Sequence, residues 1–312
     1  MASKAEQRMT WQVGSRAERR YLLDREGLLA PLFLLPSIIY IVALVAVPFL
    51  LAIAFALSDV TVGDPSYDFV GLRNFAAIIR DSTFRRSLGN TVLFTAVSMA
   101  LVVVLAKLLA LILVADFKGK WLVRLCVLLP WTTPVALAAV AWLWLLDSVF
   151  SPVDWVLRTM GLLHGNAVYL GRPGLAMASV IAVHVWRITP LAAVIIMAGL
   201  VAIPDDITDA AQVDGAGPWR TLFEITVPLN LPVIAVATLF GAILTFTDMT
   251  VVYVLTRGGP IAATQVLASW AFFKGIEGGN LAQGAAIALF LFPVLLAAAI
   301  AILQSVRRME VR

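Results

Sequence analysis

Cysteine is almost missing from this 312-residue chain. Cys126 stands alone, so no internal disulfide and no thiolate metal cluster can form. Histidine is nearly as scarce: His164 and His184 are too few and too far apart for an imidazole metal site. Charge is thin as well. Asp, Glu, Lys and Arg together make up 13% of the residues, where a soluble domain carries about a quarter. No phosphate-cradling GxxxxGK[ST] stretch occurs. The nearest fragment, Gly119-Lys120, lacks the upstream glycine and the following hydroxyl residue. The chain therefore binds no nucleotide by that route. It also has no internal repeat, low-complexity segment or soluble domain.

What the chain does have is apolar surface. Hydrophobic residues are 61% of it and the mean hydropathy is +0.95. One soluble core cannot bury that much, so lipid must be the solvent for much of the chain. Cys126 lies in one of the apolar runs and reads as a small buried residue.

Six blocks have roughly the ~20 residues needed to cross ~30 Å of hydrocarbon as a helix. They are Leu28–Leu57, Gly89–Ala115, Trp121–Leu146, Gly174–Val201, Val233–Leu255 and Ala285–Val306. The first is longer than a signal-peptide core of ~7–15 residues, so it is read as a retained span. Pro31, Pro36 and Pro48 interrupt the first block, and Pro130 and Pro134 kink the third. Backbone groups in lipid must bond within the span, and nothing here alternates like a barrel strand. The expected fold is an all-α polytopic membrane protein with six transmembrane helices. It divides into an N-terminal segment 1–27, a membrane domain 28–306 and a basic tail 307–312.

Six spans put both termini on one side, and basic residues choose the side. Lys4, Arg8, Arg16, Arg19, Arg20 and Arg25 precede the first span; Lys118, Lys120 and Arg124 follow the second; Arg307, Arg308 and Arg312 end the chain. With Arg220 they outnumber Arg73, Arg80, Arg85, Arg86, Arg158, Arg172, Arg257 and Lys274 on the other side. Both termini are expected in the cytoplasm, and with them the loop 202–232.

That loop contains the most informative stretch, Asp209–Pro232, which reads DAAQVDGAGPWRTLFEITVPLNLP. Ala210, Ala211 and Val213 could share one face of a short helix that Gly215 and Gly217-Pro218 end. The stretch closely resembles the cytoplasmic "EAA" loop of ABC importer permeases. The pattern is met by Asp209, Ala210, Ala211, Gly215, Ile225 and Pro228, with Asp in place of the commoner Glu. Other features resemble the carbohydrate-uptake branch, the maltose- and trehalose-type permeases: Asp214-Gly215-Ala216 with Trp219, Trp186 followed by Thr189-Pro190, Ile203-Pro204, and Val252–Thr256 with Gly258-Gly259-Pro260. The family commonly has a further glycine where Arg257 stands.

The resemblance implies a type I ABC importer permease fold and a non-catalytic transport subunit of the cell membrane. It implies a second homologous permease subunit, an ABC ATPase dimer that binds ATP and Mg, and an extracytoplasmic substrate-binding protein. No cofactor is expected in this chain, and nucleic acid is not an expected partner. The segment Asp205–Gly217 would be the coupling helix, with Asp205, Asp209, Ala210, Ala211, Asp214, Gly215, Ala216, Trp219 and Pro228 as the ATPase-coupling loop. The cargo would be a mono-, di- or oligosaccharide; glycerol phosphates and polyols are the alternative.

The polar residues inside the spans leave two readings open. A carboxylate in lipid is costly, so Asp248 in the fifth block must face the bundle interior or water. It could hydrogen-bond a sugar, or pair structurally with Arg187, Lys107 or a Thr hydroxyl. Thr245, Arg187, Trp186 and Trp144 are the other candidates for the substrate path; His184 reads as structural. Trp270, Phe272 and Phe273 in the last outer loop could touch the binding protein or anchor at the headgroups. A secondary transporter would be expected to show repeats with midplane charges. A membrane enzyme would need a nucleophile–base set, a metal cluster or paired carboxylates. The sequence shows neither.

Overall fold

The computed structural model describes residues 26–64 and 67–310. Among them the chain is helical, with two isolated β-bridges, Ser58–Phe69 and Thr61–Asp64. The basic stretch from Lys4 to Arg25, and Arg312, lie outside the described residues. The chain divides into two compact units, 1–51 and 52–312.

The described chain begins with α1 (Glu26–Ile41), which passes through a π turn (Val42–Ala46) into α2 (Val47–Ala56); the division between the units falls within α2. Pro48 explains the turn. It has no N–H to donate, and its ring would collide with the carbonyl four residues back in a regular helix. One wider turn relieves the clash: the Val47 N–H reaches five residues back to the Val42 carbonyl.

The second unit continues with α3 (Arg73–Arg80), α4 (Ser82–Val114), α5 (Lys120–Thr132), α6 (Val135–Leu145), α7 (Pro152–Thr159) and α8 (Pro173–Val201). Then come α9 (Asp205–Val213), α10 (Pro218–Arg220), a π turn (Thr221–Thr226), α11 (Val227–Phe246) and α12 (Thr250–Leu255). It ends with α13 (Leu267–Phe272), a π turn (Phe273–Glu277) and α14 (Leu281–Glu310). Five stretches are long and apolar enough to cross a membrane: 33–56, 82–114, 173–201, 218–246 and 281–304.

The third expected span departs from its sequence reading. Pro130 sits inside α5 without ending it, whereas α5 and α6 meet at 95° beside Pro134. Proline drives the residue before it to an extended conformation, and Thr133 has φ −72° and ψ 134°. The pair makes a sixth span if counted as one. The fifth span also differs. It begins at Pro218, because the second π turn, with Val227 N–H on Leu222 O, absorbs Pro228. It stops at Phe246, and three residues separate it from α12. The stretch expected as an outer loop, 256–284, contains α13 and a π turn, and α14 runs through Arg307 and Arg308 to Glu310 rather than leaving a separate tail.

The main core lies where α4, α8 and α11 pack together. Phe94, Met99, Val102, Ala106 and Ala110 meet Val180, Val183, Ile188, Ala193 and Ile196. Small residues let these helices approach closely. The closest approach is at Gly199 of α8: a Cβ there would fall 2.1 Å from Asn230 Oδ1 and 2.8 Å from Val233. A second cluster joins Phe84, Leu267, Trp270, Ala286 and Ile287. Cys126, expected to be buried, is exposed on α5.

Candidate functional site: an exposed acidic-apolar helix and a buried polar cluster

The helix α9 starts with Pro204 as its N-cap and with Asp205 and Asp206 in its first turn, where acidic side chains complement the helix dipole. It ends in a Schellman motif. Gly215 takes φ +75°, its N–H bonds Gln212 O at 3.0 Å, and the Ala216 N–H bonds Ala211 O at 2.9 Å. Nothing lies within 4 Å of where a Gly215 Cβ would stand, so dihedral strain alone requires the glycine within this chain.

Ala211 is buried, whereas Ala210 and Val213 face outward. The expected common face is therefore split, because residues 210 and 211 are about 100° apart around a helix. Asp209, Asp214 and Pro228 are exposed with them. Val213 is 88% exposed, Trp219 74% and Phe223 62%, and the last two rings stack at 6.1 Å. A 510 Å³ hollow lined by Gln212, Ala216, Pro218, Thr221, Leu222 and Thr226 lies between α9 and the π turn.

The polar cluster joins α8 to the α11–α12 break. The Thr245 hydroxyl donates to Gly241 O at 2.7 Å, so its oxygen accepts from His184 Nε2 at 2.8 Å. His184 is fully buried and meets the Phe94 ring edge-on at 4.9 Å. Its Nδ1 faces Asp248 Oδ2 at 3.4 Å, and Arg187 Nη2 donates to the same oxygen. Asp248 Oδ1 accepts from Thr250 N at 2.8 Å and Val251 N at 3.3 Å. Asp248 thus caps α12 with one oxygen and holds α8 with the other. The polar Thr247 and Asp248 compete with the helical backbone, which is why the expected continuous span breaks there.

The structure brings Asp248, Thr245, Arg187 and His184 together. Trp186, the residue before Arg187, meets Trp142 edge-on at 5.5 Å. Trp144, two positions along α6, points to the other side and is exposed. Lys107 is not part of the cluster; its Nζ is buried and has no hydrogen-bond partner among the described residues. A 650 Å³ groove along α4, α5 and α8 is walled almost entirely by apolar side chains, Leu105, Leu108, Pro130 and Trp186 among them. It offers few polar partners for a hydroxylated solute.

At the last loop Trp270 is 5% exposed and packs against Phe84, so it is a core residue and not a surface contact. Phe272 and Phe273 flank Tyr253 at 5.4 and 5.7 Å. Sequence reasoning missed what holds them. Arg257, at φ +50°, lies over the Tyr253 and Phe273 rings and bonds both Glu277 oxygens at 2.9 and 2.7 Å. The signal was the arginine in a glycine-rich turn. Also missed was Asp154, buried in α7, which accepts from Ala167 N at 2.8 Å. Burial and the Asp154 carboxylate push the Tyr169 hydroxyl up to about 12.

Residues 103–311 match the family described as "Binding-protein-dependent transport system inner membrane component". The chain belongs to this family. This permease is 32% identical over 280 residues to the trehalose/maltose transport system permease protein MalF of Thermococcus litoralis, covering 90% of the one and 94% of the other. It is 32% identical over 292 residues to the trehalose transport system permease protein SugA of Mycobacterium tuberculosis, covering 93% and 91%. Its fold is that of a bacterial ABC transporter chain involved in alginate import, at a TM-score of 0.78 and 22% identity over 92% of the permease and 97% of that chain. It is an integral membrane protein with the helical fold of an ABC importer permease.

Proposed function

We propose that the permease is one of two homologous membrane subunits of an ATP-driven sugar importer, forming half of the solute path. The observation that carries the coupling part is α9: a short helix with exposed Ala210 and Val213, an acidic first turn and a glycine exit, beside the exposed Trp219–Phe223 stack. Exposed apolar patches of this kind mark protein contacts. In this reading both termini and α9 are cytoplasmic. Asp205, Asp209, Ala210, Ala211, Asp214, Gly215, Ala216, Trp219 and Pro228 form or support a plug for a separate ATPase dimer, which binds ATP and Mg. Closure of that dimer moves α9 as a rigid body and switches the spans between inward- and outward-facing states.

The sugar is supported by the relatives, whose names specify trehalose/maltose, trehalose, sulfoquinovosyl glycerol and diacetylchitobiose transport. The alginate transporter has been solved with a pentasaccharide-bound periplasmic protein. A comparable binding protein here would meet the outer end of the bundle, near Phe272 and Phe273. Reconstitution tests the whole reading. Liposomes carrying the permease with its partner subunits should take up labelled maltose or trehalose only with ATP and the binding protein. Uptake by the permease alone down an ion gradient would overturn it.

A further inference from the structure

We propose that the Arg187–Asp248 pair is a latch that fixes the direction of α12 to α8, and so carries movement of α9 to the far half of the solute path. The inference rests on the function proposed above for its transport readout, and on geometry alone for its mechanical one.

Four observations converge. First, α11 and α12 are separate helices with only Thr247–Met249 between them; the Thr247 and Asp248 N–H groups bond back to Ile243 O and Thr245 O, and Met249 O accepts from Tyr253 N. Second, Asp248 at that joint serves both sides: Oδ1 starts α12 through Thr250 N and Val251 N, and Oδ2 binds Arg187 of α8. Third, α8 is helical from His184 to Val201 with Pro190 inside it, about 26 Å at ~1.5 Å per residue, and Ala202–Pro204 join it to α9. Its lower end is fastened to α11 where Asn230 Nδ2 donates to Ile196 O at 3.2 Å beside Gly199. Fourth, α12 packs on α6, itself cut from α5 by the 95° bend. A push on α9 therefore travels up one helix, α8. It reaches α12, which also packs on α8, with the Asp248 carboxylate as the polar tie between them.

A solute-binding role for the same residues makes different predictions. The carboxylate already has bonded partners on both oxygens, and the Asp248 side chain is 7% exposed, so little of it is left to face a sugar. A latch acts on coupling; a solute contact acts on half-saturation.

The test uses the complete transporter in nanodiscs and liposomes. Asp248→Asn removes the charge that holds Arg187 but keeps an oxygen for the α12 amides. Arg187→Gln breaks the latch from the other side, and Arg187→Lys restores charge. Hydrogen exchange over 247–257 should speed up about tenfold in the first two, with 188–200 unchanged. Solute moved per ATP should fall about fivefold or more at unchanged half-saturation, and Arg187→Lys should recover part of both. Unchanged exchange over 247–257 overturns the latch whatever the transport result. Faster exchange with undiminished coupling overturns its transmitting role. A raised half-saturation with intact coupling assigns the cluster to the solute instead. Failure of the wild-type transporter to couple uptake to ATP would sink the functional reading and leave the exchange result standing.

Discussion

Single residues here do more than their positions in the sequence suggest. Gly215 is the clearest case. Within the chain it has open space, so Gly215→Asp costs only the left-handed strain, about 1–2 kcal/mol. Its larger effect is expected outside the chain, where a protruding carboxylate meets the ATPase. Pull-down of the ATPase with the Gly215→Asp permease should fall sharply while the permease still inserts. Full assembly and coupled uptake would remove α9 from the interface. Tyr169 gives a test independent of any partner. Its hydroxyl, ordinarily near 10, is pushed up to about 12. The neutral phenol is thus the form the fold favours, and its contribution is whole below pH 10 and lost between pH 10 and about 12. Ultraviolet titration should show one of the five tyrosines ionising last, and Tyr169→Phe should remove that step.

At the scale of the element, the sequence pattern and the folded helices agree where burial is in lipid and disagree where helices break. The second, fourth and sixth blocks became α4, α8 and α14, because ~20 apolar residues in hydrocarbon have no alternative to a helix. Three prolines show what stayed hidden. Pro130 is tolerated within α5, Pro134 stands at a 95° corner, and Pro228 is absorbed by a π turn. Proline marks a disturbance, but the neighbours decide how large it is. The Asp248 cluster was legible only in part. A carboxylate at membrane depth announced a partner, and Arg187 was among the candidates with Lys107 and a Thr hydroxyl, but that one oxygen also caps α12 depends on where α11 stops. Trp270 misled because an aromatic in a polar interval reads as surface, whereas α13 folds it inward. The α8–α11 crossing makes its own prediction. Gly199→Leu must displace Asn230 and Val233, and overpacking of that kind costs about 1–3 kcal/mol. The purified variant should unfold at a lower temperature than wild type; an unchanged midpoint would mean the two helices separate freely.

For the whole molecule, what is missing matters as much as what is present. Exposed Ala210, Val213, Trp219 and Phe223 at one place, and an apolar groove along α4, α5 and α8 at another, describe a part made to be surrounded. The core clusters account for why the chain folds; the uncovered surfaces account for the partners proposed for it. Cys126 is among those uncovered residues. Because it is the one thiol in the sequence, a membrane-permeant maleimide dye that reaches α5 would mark each copy of the chain at a single spot. The native protein therefore carries its own tally mark, and counting bleaching steps in single assembled particles reads the number of these chains without altering a residue.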